Sequence, residues 1–322
     1  MTTTAPIVAR RLADILPDIE IAIASPIIEE IEALKRERNA VVLAHNYMTP
    51  DIFHGVADLT GDSLALARMA GDTDAEVIVM AGVHFMAETA KIVSPDKTVL
   101  IPDLRAGCSL ADSITAADIA LLREVYPDAA VVTYVNTSAE VKAASDITCT
   151  SGNALRVVES IDADEVIFLP DQYLGRWVAG QTDKRIILWE GACEVHERFT
   201  GEDLGAYRET APGVQIIAHP ECPPDVLAEA DYVGSTAGMI DWVRDESPDK
   251  VVMVTECSMA DNVAMESPET EFVRPCNLCP HMKRITLENI RDALSEMQFE
   301  VTVPDDVIDG ARRAVDRMLA VS

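Results

Sequence analysis

Three cysteines, Cys108, Cys193 and Cys279, are the residues of this chain whose type and spacing best suit metal chemistry. They lie 85 and 86 residues apart, and each follows an apolar run and a short polar segment. Near-equal spacing along a whole chain is typical of an internal repeat. Three thiolates suit zinc or an iron–sulfur cluster. Because three repeats supply only three ligands, the fourth position would be open to a substrate, which favours Lewis-acid chemistry.

Polar residues close an apolar run in each of the three repeats. They are His45 and Tyr47, Tyr134 and Asn136, and His219 and Glu221. Ligands of parallel sheets collect at the carboxyl ends of the strands. If the repeats pack with pseudo-threefold symmetry, these side chains and the three cysteines are expected to face a common axis.

A second repeated pattern is an aspartate followed five positions later by a hydroxyl residue. The pairs are Asp58 and Ser63, Asp146 and Ser151, and Asp231 and Thr236. Each hydroxyl residue precedes a helical pattern, so it could serve as an N-cap. It could equally bind an anion at the helix N-terminus, where the helix dipole and the hydroxyl act together. Three such sites around one cavity suit a substrate that carries carboxylates or a phosphate.

Two further residues allow both a functional and a structural interpretation. His196 lies three residues after Cys193 and could be a general acid or base beside a metal. It could also be a hydrogen-bonded structural histidine. Phe85 could pack against a flat substrate, although core packing is the more ordinary role of a phenylalanine.

The remaining cysteines lie outside the register of the repeat. Cys276 and Cys279 form a Cys-x-x-Cys pair, which alone suggests redox chemistry or half of a zinc site. The chain has no second such pair, so a four-cysteine zinc ribbon is not favoured. A disulfide between Cys276 and Cys279 would remove a ligand and is a hypothesis for redox regulation. Other thiols are expected to be ordinary buried residues: Cys149, Cys222 and Cys257.

The elements that would position these residues indicate an α/β fold. Residues 1–40 look helical, and Pro26 opens a run whose apolar residues fit a period of about 3.6. After that, short, continuous apolar runs alternate with helical patterns, as is typical of parallel strands covered by helices. The predicted strands are 41–44, 77–80, 99–102, 131–134, 166–169, 186–189, 214–218 and 251–254. Each repeat then forms an αβα sandwich, with expected bounds 26–109, 110–194 and 195–283. Residues 1–25 and 284–322 are expected to pack on this body.

Composition excludes several classes of partner. The net charge of −29 over 322 residues argues against nucleic acid and anionic membranes, which both need a basic surface. No apolar run approaches the roughly 18 residues that span a bilayer. The N-terminus lacks the pattern of a signal peptide, so we expect a cytoplasmic protein without a disulfide framework.

Ten short motifs of the chain, in this order, resemble those of quinolinate synthase. The resemblance runs from about residue 30 to about residue 295. The motifs are His45-Asn-Tyr47, Phe85-Met-Ala-Glu88, Ala106-Gly-Cys108, Tyr134-Val-Asn-Thr137, Cys149-Thr-Ser151, Pro170-Asp171, Cys193-Glu-Val-His196, His219-Pro-Glu-Cys222, Gly234-Ser-Thr236 and Cys279-Pro-His-Met-Lys283.

The resemblance implies a fold, a cofactor and a reaction. The fold is a triplicated αβα arrangement, and the cofactor is a [4Fe-4S] cluster held by Cys108, Cys193 and Cys279, with an open iron that acts as a Lewis acid. The reaction condenses iminoaspartate with dihydroxyacetone phosphate. It releases phosphate and water and forms quinolinate for de novo NAD biosynthesis. An upstream aspartate-oxidising enzyme is the partner that would supply iminoaspartate.

The resemblance also implies roles for individual residues. Glu221, His219, Tyr47 and His196 would be catalytic. The substrate-binding residues would be His45, Ser63, Phe85, Tyr134, Val135, Asn136, Ser151, His219, Pro220, Glu221 and Thr236.

Two other functions stay open on sequence alone. Another cluster-dependent hydro-lyase would use the same open iron on a carboxylic acid, without a phosphate-bearing substrate. A non-enzymatic metalloprotein, either an electron carrier or a zinc-stabilised binding module, would need a fourth protein ligand, for which Cys276 is the nearest candidate.

Overall fold

The computed structural model describes residues 12–13 and 16–321 and contains three parallel sheets of the same topology. The sheet orders are β2-β1-β3-β4, β6-β5-β7-β8 and β10-β9-β11-β12. The strands are β1 Ala40–His45, β2 Leu59–Gly61, β3 Val77–Ala81, β4 Thr98–Leu100, β5 Ala130–Tyr134, β6 Ile147–Cys149, β7 Glu165–Leu169, β8 Arg185–Leu188, β9 Gln215–Ala218, β10 Tyr232–Val233, β11 Lys250–Val254 and β12 Glu271–Val273. All of the pairings between these strands are parallel.

Helices flank each sheet, which confirms the α/β class and the three αβα repeats. They are α1 Asp18–Arg38, α2 Pro50–Phe53, α3 Ser63–Asp72, α4 His84–Val93, α5 Ala116–Val125, α6 Ala139–Ala144, α7 Ala154–Glu159, α8 Gln172–Ala179, α9 Gly201–Thr210, α10 Pro224–Glu229, α11 Thr236–Glu246, α12 Cys257–Glu266, α13 Leu287–Glu296 and α14 Asp305–Val321. The central strands are buried almost throughout, as their continuous apolar sequence predicts.

The chain divides into two compact units. The first contains the described residues up to Ala106, with Glu256–Pro268 and Leu278–Thr302. The second contains Gly107–Thr255 and Glu269–Asn277, with the described residues from Val303 onward. The boundaries 26–109, 110–194 and 195–283 stay a prediction.

The repeated aspartate ties the first strand of each sheet to the segment that leads into the second. In the first sheet, Val42 N–H donates to Asp58 Oδ2 (2.8 Å), and Asp58 N–H donates to Val42 O (3.0 Å). A cation from the preceding helix, Lys35, lies 2.7 Å from Asp58 Oδ1. These contacts fix the register of β1, at whose end His45 lies.

The other two sheets repeat this arrangement within the second unit. The N–H of Val131 donates to Asp146 Oδ2 at 2.7 Å, and the N–H of Ile216 donates to Asp231 Oδ2 at 2.8 Å. The cations are Arg123, 3.1 Å from Asp146, and Arg208, 3.0 Å from Asp231. The sequence repeat is therefore also a repeat of hydrogen bonds.

Helix α1 lies within the stretch 1–40 that the sequence predicts to be helical, but Pro26 does not open it. Pro26 lies inside the helix, which starts at Asp18. The buried stripe of Ile21, Ala24, Ile28 and Ile31 continues across the proline, so apolar burial outweighs the backbone hydrogen bond that proline cannot make. Residues 1–11 and 14–15, which fall in the predicted N-terminal segment, lie outside the described residues.

Among the residues that the structure describes, no helix is both long enough and apolar enough to cross a membrane.

Candidate active site

The three repeat cysteines occupy equivalent backbone positions and lie outside any disulfide. Each lies three residues before a single 3₁₀ turn, formed by Ala111–Ser113, His196–Arg198 and Met282–Arg284. In each turn the cysteine carbonyl accepts an N–H from the residue four positions on, at 3.0 to 3.1 Å. Cys108, Cys193 and Cys279 are all half-buried.

The loops of Cys108 and Cys193 are tied together in the second unit. Ser109 Oγ donates to Ala192 O (3.1 Å) and accepts from Glu194 N–H (3.1 Å). Burial, the Glu221 carboxylate and the Cys108 thiol all raise the pKa of Cys193. A bound metal cation would offset this crowding of acidic groups and deprotonate the thiols. The residues present therefore fit a metal centre.

A buried hydrogen-bonded chain lies beside Cys193. His196 Nδ1 is 2.8 Å from Glu221 Oε2, and Tyr134 Oη donates to Glu221 Oε1 at 2.5 Å. The other ring nitrogen of His196 is 2.9 Å from Thr255 Oγ1. Burial alone would raise the pKa of Glu221, but the charges of His196 and His219 in their protonated forms, with the Tyr134 hydrogen bond, outweigh burial and hold the pKa of Glu221 below its usual range. Glu221 is therefore ionised in a buried position.

His219 has a defined tautomer in its neutral form. The Glu221 N–H donates to His219 Nδ1 at 3.4 Å, so the ring proton belongs on Nε2. From Nε2 it can be donated to Ser151 Oγ, 3.1 Å away. The His219 ring also stacks on His196, with centroids 4.8 Å apart. The structure thus brings together five residues that the sequence assigns to the site: Tyr134, Ser151, His196, His219 and Glu221.

Cys193, His196 and Glu221 also form a group that could hold a metal ion, since their ligand atoms lie within 4.8 Å of one another. The imidazole and carboxylate of this group already bind each other. We therefore interpret Cys193 as the metal-binding member and His196 with Glu221 as a proton-transfer pair beside it.

The first unit contains a similar arrangement at the end of β1. Tyr47 N–H donates to His45 Nδ1 at 3.2 Å, as Glu221 N–H does to His219, which again places the neutral imidazole proton on Nε2. The rings of His45 and Tyr47 meet edge to face, with centroids 4.6 Å apart. Phe85 lies on α4 of the same unit and is 4% exposed.

The N-cap interpretation of the repeated hydroxyl residues is wrong. Helix α3 is capped by Asp62, whose side chain accepts from Ala65 N–H (2.8 Å), and Ser63 is its first helical residue. Helix α11 is capped by Ser235, and Thr236 is its first helical residue. Asp62 and Ser235 are the N-caps because each lies directly before the first helical residue. The hydroxyl groups of Ser63 and Thr236 are therefore not engaged in capping.

Ser151 also lies outside the N-cap position, in the turn before α7, where Asn153 is the N-cap residue. Asn136 Oδ1 is buried and has no hydrogen-bond partner among the described residues. A buried acceptor of this kind suits a donor group on a ligand. Val135 and Pro220 are buried next to these polar residues, and the Val135 N–H pairs with Cys149 O at 2.8 Å.

Asp171 is a site residue to which the sequence alone assigned no role. It is fully buried at the start of α8, and its Oδ1 accepts the N–H groups of Tyr173 and Leu174, both at 2.8 Å. Its Oδ2 has no partner within the described chain. Burial and the charge of Glu221 raise the pKa of Asp171 well above its usual range. The signal that could have found it is an acidic residue two positions after the end of a buried strand, β7.

Two predictions about cysteines need correction. Cys279 lies outside any disulfide and Cys276 is disulfide-bonded, so the Cys276–Cys279 disulfide hypothesised for redox regulation is not formed in this structure. Because a sulfur forms only one disulfide, Cys276 is also unavailable as a fourth metal ligand. Cys257, predicted to be an ordinary thiol, is disulfide-bonded too. The predictions for Cys149 and Cys222, both buried free thiols, are confirmed.

The fold and the site together define an α/β enzyme with a buried histidine–glutamate pair beside Cys193. The family model of NadA, Quinolinate synthetase A protein, matches residues 29–320. Quinolinate synthase 2 of Mesorhizobium japonicum is 64% identical over 311 residues, covering 97% of this chain and 96% of that protein. The quinolinate synthase of Agrobacterium fabrum is 62% identical, covering 97% and 90%, and that of Xylella fastidiosa is 64% identical, covering 91% and 87%. The chain belongs to the quinolinate synthetase A family, whose role is de novo NAD biosynthesis.

Proposed function

We propose that this enzyme condenses iminoaspartate with dihydroxyacetone phosphate to form quinolinate, with release of phosphate and water. The observation that carries the proposal is the buried chain of Tyr134, Glu221 and His196, which lies beside Cys193. Ring formation from these substrates needs repeated proton transfers to and from carbon, nitrogen and oxygen. A buried carboxylate that is hydrogen-bonded to both a phenol and an imidazole is suited to that work.

The cofactor that we propose is a [4Fe-4S] cluster with Cys108, Cys193 and Cys279 as its ligands. Support comes from their equivalent turns, their half-buried positions and their place outside any disulfide. An iron without a cysteine ligand would supply Lewis-acid polarisation of a substrate oxygen or nitrogen.

Glu221 is the base that we assign to proton abstraction. Its carboxylate is ionised and anchored on both oxygens, so the side chain is held in one orientation. His196, bound to Oε2, can receive or return that proton. His219 and Tyr47 are the further proton donors, because the neutral His219 ring carries its proton on Nε2 and Tyr47 has a phenolic hydroxyl.

Substrate binding is assigned to the polar groups that the fold leaves outside helix capping. The hydroxyls of Ser63, Ser151 and Thr236 would hold carboxylate or phosphate oxygens, and Asn136 Oδ1 would accept a donor group of the substrate. His45 would donate from Nε2. Apolar contacts would come from Phe85, Val135 and Pro220.

We propose the cytoplasm as the compartment of this reaction, because a cluster held by cysteine thiolates needs ligands that stay reduced; the disulfide-bonded Cys257 and Cys276 are not among those ligands. An aspartate-oxidising enzyme would supply iminoaspartate. The acidic composition, with a net charge of −29, is unsuited to nucleic acid or to an anionic membrane.

A growth test addresses the proposal in cells. The chain is expressed in a bacterial strain that lacks its own quinolinate-forming enzyme and therefore needs added nicotinate. We expect growth without nicotinate for the parent and for Glu246→Gln, a change on the exposed face of α11, and no growth for Glu221→Gln. Failure of the parent to support growth, although it accumulates with bound iron, would overturn the proposed reaction.

A further inference from the structure

The residue four positions after each repeat cysteine differs in charge between the repeats. It is Asp112 in the first turn, Glu197 in the second and Lys283 in the third. The backbone contact is the same in all three, since each of these residues donates its N–H to the cysteine carbonyl. The turn therefore forms with an acidic side chain as well as with a basic one. The positive charge of Lys283 is not needed for the turn, and its role lies in the contacts of its side chain.

The Lys283 ammonium uses all three of its donors within the first unit. Nζ donates to Tyr47 O (2.8 Å) and to Ser258 Oγ (2.7 Å), and it lies 3.0 Å from Glu256 Oε1. An ammonium group has three N–H donors and no acceptor. Lys283 thus binds the main chain at Tyr47, a residue to which we assign proton transfer.

Glu256 extends the same contacts to a proposed cluster ligand. Its side chain is 0% exposed, and Oε1 also accepts the N–H of Cys279 at 3.3 Å. Oε2 accepts the N–H of Ser258 at 2.9 Å. A carboxylate buried this fully is costly without a cation and hydrogen bonds. One carboxylate therefore joins the backbone of Cys279 to the ammonium that holds Tyr47.

Asn262 holds the main chain on both sides of Tyr47. Its Nδ2 donates to Asn46 O (3.0 Å) and to Met48 O (2.8 Å). Together with Lys283, it binds three consecutive carbonyl groups, of residues 46 to 48. The turn that carries Tyr47 is therefore fixed by side chains from α12 and from the turn after Cys279.

We infer that Glu256 and Lys283 are positioning residues, which hold the backbone of Tyr47 at a set place relative to the backbone of Cys279. Their function is to keep a proton-transfer group and a cluster ligand in fixed geometry. Misplacement of a reacting group by about 1 Å can cost roughly a hundredfold in rate. This inference rests on the proposed function, because the roles of Tyr47 and Cys279 are part of it.

The test uses an uncharged variant of the pair. Lys283→Met alone leaves a buried carboxylate without its cation, which could prevent folding. The double variant Glu256→Gln/Lys283→Met removes both charges and keeps an amide oxygen for the Cys279 N–H. The matched control is Lys91→Met, because Lys91 also lies in the first unit. Its ammonium donates to the Lys97 carbonyl at 2.7 Å and lies 3.5 Å from a carboxylate oxygen of Glu300.

A kinetic cycle distinguishes positioning from a general loss of structure. In the parent, the double variant should lower kcat roughly tenfold to a hundredfold, the size of one lost hydrogen bond to a charged group, with KM nearly unchanged. In a Tyr47→Phe background the double variant should lower kcat little further, because the Tyr47 hydroxyl that the pair positions is already absent. An equal loss of kcat in both backgrounds would overturn the inference.

Iron release provides a readout that does not depend on turnover. Anaerobic protein loaded with its cluster is mixed with a ferrous chelator, and we expect roughly tenfold faster iron release from the double variant than from the parent. Lys91→Met should match the parent. Equal release rates in all three proteins would overturn the inference about Cys279. A parent that forms no quinolinate but shows the expected iron release would contradict the proposed reaction alone.

Discussion

His196 Nδ1 lies 2.8 Å from Glu221 Oε2, and the two residues are only 1% and 3% exposed. Such a contact places an imidazole and a carboxylate together in a region of low dielectric, where their interaction is strong. Tyr134 binds the other carboxylate oxygen from a separate repeat. Glu221 is therefore oriented by its protein neighbours, as the proton transfer that we propose requires.

Replacement of Glu221 by glutamine should remove the base and keep the shape of the side chain. We expect kcat for quinolinate formation to fall by about 10²- to 10⁴-fold, the usual contribution of a general base, while iron content stays at the parental value. Steady-state kinetics with parallel iron analysis measures both quantities. A Glu221→Gln protein with more than a tenth of parental kcat would show that another group is the base.

Neighbouring residues at the start of α11 should respond differently to mutation. Ser235→Ala removes the helix cap and should lower the free energy of unfolding by about 1 kcal/mol with little effect on KM. Thr236→Val keeps the cap and removes the proposed anion contact, so KM should rise roughly tenfold, as expected for one lost hydrogen bond to a charged group. Urea unfolding and substrate titration of both variants test the assignment. The reverse pattern would restore Thr236 as a structural residue.

Asp171 should make the stability of the protein depend on pH in a specific direction. Its pKa is raised in the folded state by burial and by the charge of Glu221. Between the ordinary pKa, about 3.9, and the raised value, the folded state binds more protons than the unfolded state. The free energy of unfolding therefore falls as pH rises through this window.

Asp171→Asn cannot titrate and keeps an oxygen for the N–H groups of Tyr173 and Leu174. The free energy of unfolding of this variant, minus that of the parent, should increase with pH from about pH 4, by at most about 1.4 kcal/mol per pH unit. The difference should level off above the raised pKa of Asp171. Urea unfolding of the apo-protein at several pH values gives this difference. A difference that does not vary with pH would mean that Asp171 titrates normally.

The cysteine assignment predicts which thiols retain iron. Serine at Cys108, Cys193 or Cys279 should lower bound iron from about four atoms per chain, the content of the cluster, to a small fraction of that. Alanine at Cys149, a buried free thiol off the repeat register, should leave the iron content unchanged. Loss of iron in Cys149→Ala alone among these variants would refute the ligand set.

Much of the fold could be predicted because its central strands are long and continuously apolar. The eight predicted strands correspond to β1, β3, β4, β5, β7, β8, β9 and β11. The missed strands, β2, β6, β10 and β12, are only two to three residues long. Such strands lie at the sheet edges, and segments like Leu59–Gly61 contain too few residues for a detectable apolar pattern.

The equivalent turns after Cys108, Cys193 and Cys279 were predictable, because one repeat resembles the next in sequence. Contacts between repeats could not be predicted from the sequence, because they depend on tertiary packing. Tyr134 and Glu221 are 87 residues apart in sequence, and nothing local to either indicates their 2.5 Å hydrogen bond. Lys283 was overlooked for a similar reason, since its partners Tyr47 and Glu256 lie far away in the chain.

The most direct measurement is the stoichiometry of products formed by anaerobically purified protein given iminoaspartate and dihydroxyacetone phosphate. Iron and sulfide are counted in the same sample. We predict equimolar quinolinate and phosphate, with about four irons per chain. An intact cluster without quinolinate or phosphate would contradict the proposed reaction and favour a hydro-lyase that acts on a carboxylic acid.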